Sequence, residues 1–188
     1  MRKLFLTGLS VLFLTFGAFA QTTEFDSGTK SANNGDFKTA LVHYQRASAN
    51  LQLSTKQSAQ IHYNIGVCFY RLNQPNDAIA EFEQAIKLLP DYEKPHYALA
   101  MALVDLKEFE KAKSEFFKAI YLNETNGETW FDLALVLIQV QKFDEAAIAF
   151  RNAVKFKSIA KNEAIANLEI LSRKETKSTA ELTFKERK

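Results

Sequence analysis

The sequence of 188 residues has little that would support a disulfide-stapled or a turn-rich β fold. Its single cysteine, Cys68, cannot form an internal disulfide, so packing alone has to stabilise the protein. Only six glycines and three prolines are present, and this scarcity of helix breakers favours long helices. After residue 20 no apolar run reaches the about 20 residues that a membrane-spanning helix needs.

An excess of charge of one sign is also missing once the N-terminus is set aside. Without Arg2 and Lys3, the 24 basic residues fall to 22 and balance the 22 acidic residues. Nucleic-acid binding needs a basic surface that neutralises phosphates, so we expect no nucleic-acid partner.

The first twenty residues have the pattern of a Sec-type signal peptide. A basic start is followed by an apolar stretch from Leu4 to Gly17 and by the small-residue sequence Ala18-Phe19-Ala20. We therefore expect cleavage after Ala20 and a periplasmic or secreted mature chain. An uncleaved N-terminal anchor is the alternative, although the stretch is short for a spanning helix.

Signatures of catalysis are absent from the sequence. It contains no G-x-S-x-G, no glycine-rich phosphate loop and no H-E-x-x-H. His62 and His96 hold equivalent places 34 residues apart, but no cysteine or carboxylate stands at a familiar ligand spacing from them. We interpret them as partly buried imidazoles rather than a two-histidine metal site, and we expect no catalytic residue, no metal and no cofactor.

A period of 34 residues organises the rest of the chain. Residues 59–92, 93–126 and 127–160 align without a gap, and a weaker copy at 21–54 precedes an insertion of about four residues around Leu53–Lys56. Small residues recur at fixed places, with a phenylalanine between them: Ala78, Phe82 and Ala85; Ala112, Phe116 and Ala119; Ala146, Phe150 and Ala153.

These spacings place the small residues and the phenylalanine on one helical face. Two antiparallel helices approach closely only where side chains are small, and an aromatic side chain fills the space beside them. The pattern predicts helices near 22–34, 37–53, 58–72, 75–88, 92–106, 109–122, 126–140 and 143–156. Ser54-x-x-Gln57 and Thr125-x-x-Glu128 have the pattern of capping boxes.

This pattern resembles the tetratricopeptide repeat. Ile65-Gly66-x-x-Phe69 and Trp130-x-x-Leu133-Ala134 match the first half of that motif, and Ala78, Phe82, Ala85 and Pro90 match the second. His62 and His96 stand where the family usually has tryptophan. The resemblance implies an all-α, right-handed superhelical α-solenoid of about four helix-turn-helix repeats at residues 21–160. Residues 161–174 are predicted to form a capping helix, with a partner-binding helix as the alternative, and residues 175–188 a polar, disordered tail.

In this family the first helix of each repeat lines a concave groove that holds a protein or peptide. The resemblance therefore implies a groove made of Phe25, Tyr63, Asn64, Val67, Tyr70, Arg71, Lys94, Tyr97, Met101, Phe131 and Leu135. Its aromatic and aliphatic character suits an amphipathic helix or an extended apolar segment. Packing between helices is the alternative role for the aromatic residues at the fifth position of each copy.

Members of the family that grip a C-terminal carboxylate do so with lysine, asparagine and arginine side chains. Asn64 and Lys94 match two of those places, but Phe25, Thr29 and Ala98 occupy others. The sequence thus argues against a carboxylate clamp. We expect an exported, non-enzymatic scaffold that binds a protein partner and acts in envelope assembly or secretion. The alternative is a structural subunit whose groove is filled by its own tail or by a second copy.

Overall fold

The computed structural model describes residues 23–49 and 52–172. The predicted signal peptide at 1–20, the last two residues of the predicted capping helix and the predicted tail at 175–188 lie outside these residues. Nine helices and no strand occur in the described part, which has an all-α helical repeat fold. The helices are α1 (23–33), α2 (Phe37–Ser48), α3 (Thr55–Arg71), α4 (Pro75–Leu88), α5 (Glu93–Asp105), α6 (Phe109–Leu122), α7 (Gly127–Gln139), α8 (Phe143–Lys155) and α9 (161–172).

The chain divides into two compact units, and the boundary between Ala102 and Leu103 falls within α5. The described residues of unit 1 are 23–49 and 52–102, and those of unit 2 are 103–172. None of the helices in these ranges is long and apolar enough to cross a bilayer.

Unit 1 contains two helical hairpins, α1–α2 and α3–α4, and most of α5. Its core forms where α2 packs against α3, and the fully buried residues there are Ala40, Tyr44, Ala47, Ile61, Ile65 and Cys68. Tyr44 spans this core, because its hydroxyl donates a hydrogen bond to Thr29 on α1 over 3.2 Å. The weak first copy of the repeat thus forms a helix pair, and a tyrosine fills its interior.

Helices α3 and α4 cross closely at Gly66. A Cβ atom placed on Gly66 would lie 2.6 Å from a ring carbon of Phe82 and 3.2 Å from the carbonyl oxygen of Ala78. Phe82 and Ala78 are fully buried, so neither has room to move away. The small residues predicted for helix crossings are therefore found at this crossing.

Unit 2 contains the hairpin α7–α8, with α6 packed on α7 and α9 after α8. Phe116, Leu133, Leu137 and Phe150 fill its interior beside Ala112, Ala134 and Ala146. Gly127 opens α7 against the turn before α9, where an added Cβ would lie 2.8 Å from the backbone nitrogen of Ser158. The carboxylate of Glu128 accepts hydrogen bonds from the Ser158 hydroxyl and the Ile159 amide, so α7 and α9 are linked through this turn.

Every hairpin turn uses the same backbone device. Gly35, Asn73, Lys107 and Gln141 each follow a first helix with φ between 60° and 79°. The amide after each one reaches back to a carbonyl in the last helical turn, as in Gln74 N to Phe69 O over 2.9 Å and Lys142 N to Leu137 O over 2.8 Å. These are Schellman motifs, which end a helix with one left-handed residue.

Lys107→Gly is expected to stabilise unit 2 by about 1 kcal/mol, because a side chain in the left-handed region costs about that much and glycine avoids the cost. Urea unfolding of the variant and the parent chain would measure the difference. Substituting the neighbouring Glu108 with glycine is the control. Glu108 has φ −84°, so glycine there removes no left-handed strain and should not stabilise. An unchanged or lower stability of Lys107→Gly would contradict the interpretation.

The observed helix ends match the predicted ones in some places and differ from them in others. The capping box at Ser54 and Gln57 is present, so α3 begins at Thr55 rather than at 58. Helix α2 ends at Ser48, five residues earlier than predicted. The capping box predicted at Thr125 is wrong. Asn126 is the N-cap of α7 and accepts from the amides of Glu128 and Thr129, and Thr125 instead donates to the side chain of Asn123.

Cys68 is expected to resist thiol reagents in the folded protein. It is 1% exposed, and burial raises the pKa of its thiol to about 11 because a thiolate is poorly solvated there. At pH 8 an ordinary exposed cysteine is partly ionised, whereas Cys68 stays a neutral thiol until the pH approaches its raised pKa. Labelling with a maleimide at pH 8 should require denaturant. Rapid labelling of the native chain would contradict this placement.

Candidate functional site

Three of the four aromatic residues predicted to line the groove at the fifth position of each copy contact the second helix of their own hairpin. Phe25 lies 5.6 Å from Tyr44, Tyr63 lies 6.1 Å from Phe82, and Phe131 lies 5.7 Å from Phe150, measured between ring centroids. Offset and edge-on ring pairs at these distances stabilise a core. These three side chains have a packing role, whatever else they contact.

Tyr63 also joins α3 to the start of α5. Its ring lies 5.5 Å from that of Tyr92 in an edge-on contact. Burial raises the pKa of Tyr63, and burial raises the pKa of Tyr92 to about 12, with the charge of Glu93 adding to both shifts. Both phenols therefore stay protonated at neutral pH, and the contact places the residue just before α5 beside α3 within unit 1.

Four predicted groove residues lie along the C-terminal half of α3. Asn64, Val67 and Tyr70 are spaced by three residues and are each half-buried, so they form one stripe along the helix. Tyr70 already has an interaction of its own. Arg71 is exposed, and its guanidinium lies 5.0 Å from the centre of the Phe37 ring at the start of α2. That contact is a cation–π pair, which fixes the end of α3 on the preceding hairpin.

Three predicted residues lie on α5 within unit 1. Lys94 is exposed in the first turn, and Tyr97 and Met101 follow it on the same side of the helix and are half-buried. Tyr97 has an interaction of its own. We call Asn64, Val67, Tyr70, Lys94, Tyr97 and Met101 together the α3–α5 surface.

In unit 2 the two predicted residues differ in exposure. Phe131 is 7% exposed and belongs to the core, whereas Leu135, one turn further along α7, is 37% exposed. Of the two, Leu135 is the side chain that a partner can reach. The predicted sites thus sort into packed aromatic residues and partly exposed aliphatic and polar ones.

Sequence reasoning missed a polar pair that recurs beside the aromatic pair. His43 Nδ1 lies 2.6 Å from the carboxylate of Glu24, and His62 Nδ1 lies 2.6 Å from that of Glu81. Each pair joins the fourth position of a repeat copy to a residue of the second helix 19 positions later, with the two residue types exchanged between the copies. The spacing of 19 was a visible signal, and it accounts for a histidine where the motif usually has tryptophan.

Both pairs join two helices, so His43 and His62 have structural roles. Among the described residues, no three histidine, cysteine, aspartate or glutamate side chains are grouped to hold a metal ion. His96 is 5% exposed, and its Nε2 lies 3.1 Å from the Pro90 carbonyl oxygen across the turn before α5. The histidines that suggested a metal pair therefore have structural partners.

Solved structures with similar folds are helical repeat proteins. A crystal structure of MamA protein is 22% identical over 88% of this chain and 88% of that chain, with a TM-score of 0.71. MamA 41-end from Desulfovibrio magneticus RS-1 is 15% identical over 89% and 92%, with a TM-score of 0.73. The Arabidopsis OM64 TPR domain is 22% identical over 64% and 98%, with a TM-score of 0.60. At these identities the likeness shows the fold.

The sequence matches models of one repeat family, whereas no curated protein matches it significantly. One tetratricopeptide-repeat model matches residues 59–92, and another matches 94–126 and 127–158, together more than half of the chain. The matched bounds follow the 34-residue copies and cover most of two successive helices each, namely α3 and α4, α5 and α6, and α7 and α8. The chain belongs to the tetratricopeptide-repeat family.

Proposed function

We propose that this protein is an exported scaffold that binds a protein or peptide segment through the first helices of its repeats. The supporting observation is the partial exposure of Val67 and Met101 on the α3–α5 surface, next to aromatic rings that pack inward. Family membership supports a binding role, because stacked repeats of this kind present extended surfaces to partners. Assembly or secretion in the cell envelope is the context that we propose.

The chemistry of the α3–α5 surface suits an apolar segment with an accessible backbone. Val67 and Met101 offer aliphatic and thioether surface, and methionine adapts to differently shaped partners. The Asn64 amide can donate to and accept from a peptide group. Lys94 adds one positive charge at the start of α5. An amphipathic helix or an extended apolar segment would bury its apolar face against Val67 and Met101.

Export is part of the proposal and rests on the N-terminal sequence. The basic start, the apolar stretch and Ala18-Phe19-Ala20 support removal of residues 1–20. N-terminal sequencing of the protein from cultured cells should find Gln21 as the first residue, in the periplasmic or secreted fraction. A protein retained in the cytoplasm with Met1 intact would contradict it.

A displayed library of short random peptides tests the binding role on residues 21–188. The selected peptides should be rich in apolar residues. Val67→Glu with Met101→Glu should weaken their binding by about tenfold or more, because hot-spot side chains contribute more than about 1.4 kcal/mol each. The matched control is Ala80→Glu with Gln84→Glu, which places the same two charges on exposed positions of α4. Equal binding of the peptides by the Val67 and Met101 variant and by the control would contradict binding at the α3–α5 surface.

Self-association is the second candidate, and one feature of unit 2 favours it. Phe117 and Tyr121 lie one turn apart on α6 and are 44% and 89% exposed. The equivalent positions in the two neighbouring copies are polar, with Glu83 and Lys87 on α4 and Arg151 and Lys155 on α8. If two copies associate through this pair, light scattering should give a dimer mass that Phe117→Glu reduces to a monomer mass. A monomer at all concentrations would exclude this candidate.

A further inference from the structure

A cleft of about 270 Å³ lies between α8 and α9 in unit 2. We call it the C-terminal cleft, and it is lined by Ala147, Arg151, Leu168, Glu169, Leu171 and Ser172. One water needs only about 10–15 Å³ of such volume, so the cleft has room for bulky side chains. Its apolar floor and its two oppositely charged rims have no covering element among the described residues.

Apolar surface continues along both helices that form the cleft. Ile148 lies one turn before Arg151 on α8 and is 54% exposed. Ile165 lies one turn before Leu168 on α9 and is 39% exposed. A helix that only closed the end of the repeats would turn polar residues to solvent at such positions. The apolar edges indicate that something covers the cleft.

The chain itself continues from the edge of the cleft. Ser172, the last described residue, is one of its lining residues, and 16 residues follow it in the sequence. The apolar residues in those 16 are Ala180, Leu182 and Phe184. They alternate with Glu181 and Thr183, so an extended segment presents all three on one face.

Length and charge both permit this segment to return to the cleft. The seven residues 173–179 span up to about 25 Å when extended, and the twelve residues of α9 are about 18 Å long. Residues 180–184 can therefore lie alongside α9. The rims are complementary in charge as well, because Arg151 can pair with Glu181 and Glu169 with Lys185.

We propose that residues 180–184 of the same chain bind in the C-terminal cleft, with Leu182 and Phe184 covering its apolar floor. The segment would complete the end of the repeat stack and keep Ile148 and Ile165 from other apolar surfaces. This binding is separate from the α3–α5 surface and goes beyond the proposed function, so either can fail without the other.

Disulfide trapping in the full mature chain tests the proposal. Arg151→Cys places a thiol on the rim of the cleft, and Ala180→Cys places one on the face of the segment that carries Leu182 and Phe184. Cys68 can stay, because it is buried in unit 1. Under a mild oxidant, the doubly substituted chain should form an intrachain disulfide, because docking raises the effective concentration of the two thiols.

The matched control adds Leu182→Asn and Phe184→Asn to the same cysteine pair. It keeps the length and charge of the segment but removes its apolar side chains, so trapping should slow by about tenfold or more. Equal rates in the two chains would overturn the proposal. Disulfide-linked dimers would overturn it as well, because they would show that the segment of a second copy occupies the cleft. Circular dichroism of both variants should show unchanged helical content.

Discussion

Phe82→Ala is expected to destabilise the protein by about 3–5 kcal/mol, the cost of emptying the site of a fully buried phenylalanine. Phe82 is 1% exposed, and it fills the space beside Gly66, whose missing Cβ would otherwise collide with the ring. It also contacts the ring of Tyr63. The alanine variant removes the contacts of the Phe82 ring with α3, and neither helix can close the cavity without moving backbone atoms.

Urea unfolding followed by circular dichroism measures this loss, and Phe117→Ala is the matched control. Phe117 is also a phenylalanine on a second helix, but it is 44% exposed, so its removal should lower the unfolding free energy of the monomer by only about 1 kcal/mol. Similar losses of unfolding free energy for Phe82→Ala and Phe117→Ala would contradict the assignment of Phe82 to the buried face of α4.

Ala78→Leu is expected to cost about 1–3 kcal/mol, because a leucine has no space at the crossing of α3 and α4. Ala78 is fully buried, and its carbonyl oxygen lies 3.2 Å from where a Cβ on Gly66 would be. The larger side chain must push the helices apart or leave its preferred rotamer. Either change weakens the packing of Phe82 between them.

The control for this variant lies two residues further along the same helix. Ala80 is exposed, and Ala80→Leu adds the same atoms in a helix of similar propensity without meeting α3. The difference in urea midpoint between the two variants measures the cost of the larger side chain at the crossing of α3 and α4. A neutral Ala78→Leu would mean that the repeat register is wrong.

Much of the fold could be predicted because its determinants recur at a fixed spacing. Alanines and phenylalanines on second helices fix which face is buried, and Pro75 at the first position of α4 marks its start. The end of α2 was harder to predict. Apolar periodicity continues past Ser48 through Leu51 and Leu53, while the capping box at Ser54 already requires a break before α3.

Other features depend on which of several neighbouring side chains caps a helix, or on the backbone conformation that a turn imposes. A sequence motif does not show either. Thr125 and Glu128 have capping-box spacing, but Asn126 is a better-placed N-cap and Glu128 bonds instead to the turn before α9. Lys107 and Gln141 adopt left-handed backbone without being glycine, because the helix hairpin requires that conformation there. Neither outcome is encoded in a residue type alone.

The candidate site was predicted as one set of residues, and the structure separates that set into two kinds. Fifth-position aromatics alternate with aliphatic positions on the same helix, so sequence periodicity cannot tell a ring that packs inward from a side chain that faces a partner. Ring contacts of Phe25, Tyr63 and Phe131 with the second helices give those three a packing role. All residues of the predicted groove stay predicted contact residues.

Hydrogen exchange with and without a selected apolar peptide tests the proposed binding surface most directly. The bound peptide should slow exchange in the parts of α3 and α5 that carry Asn64 to Tyr70 and Lys94 to Met101. Exchange in α4 around Ala80 should stay unchanged. Protection confined to α4, or to α8 and α9, would contradict binding at the α3–α5 surface.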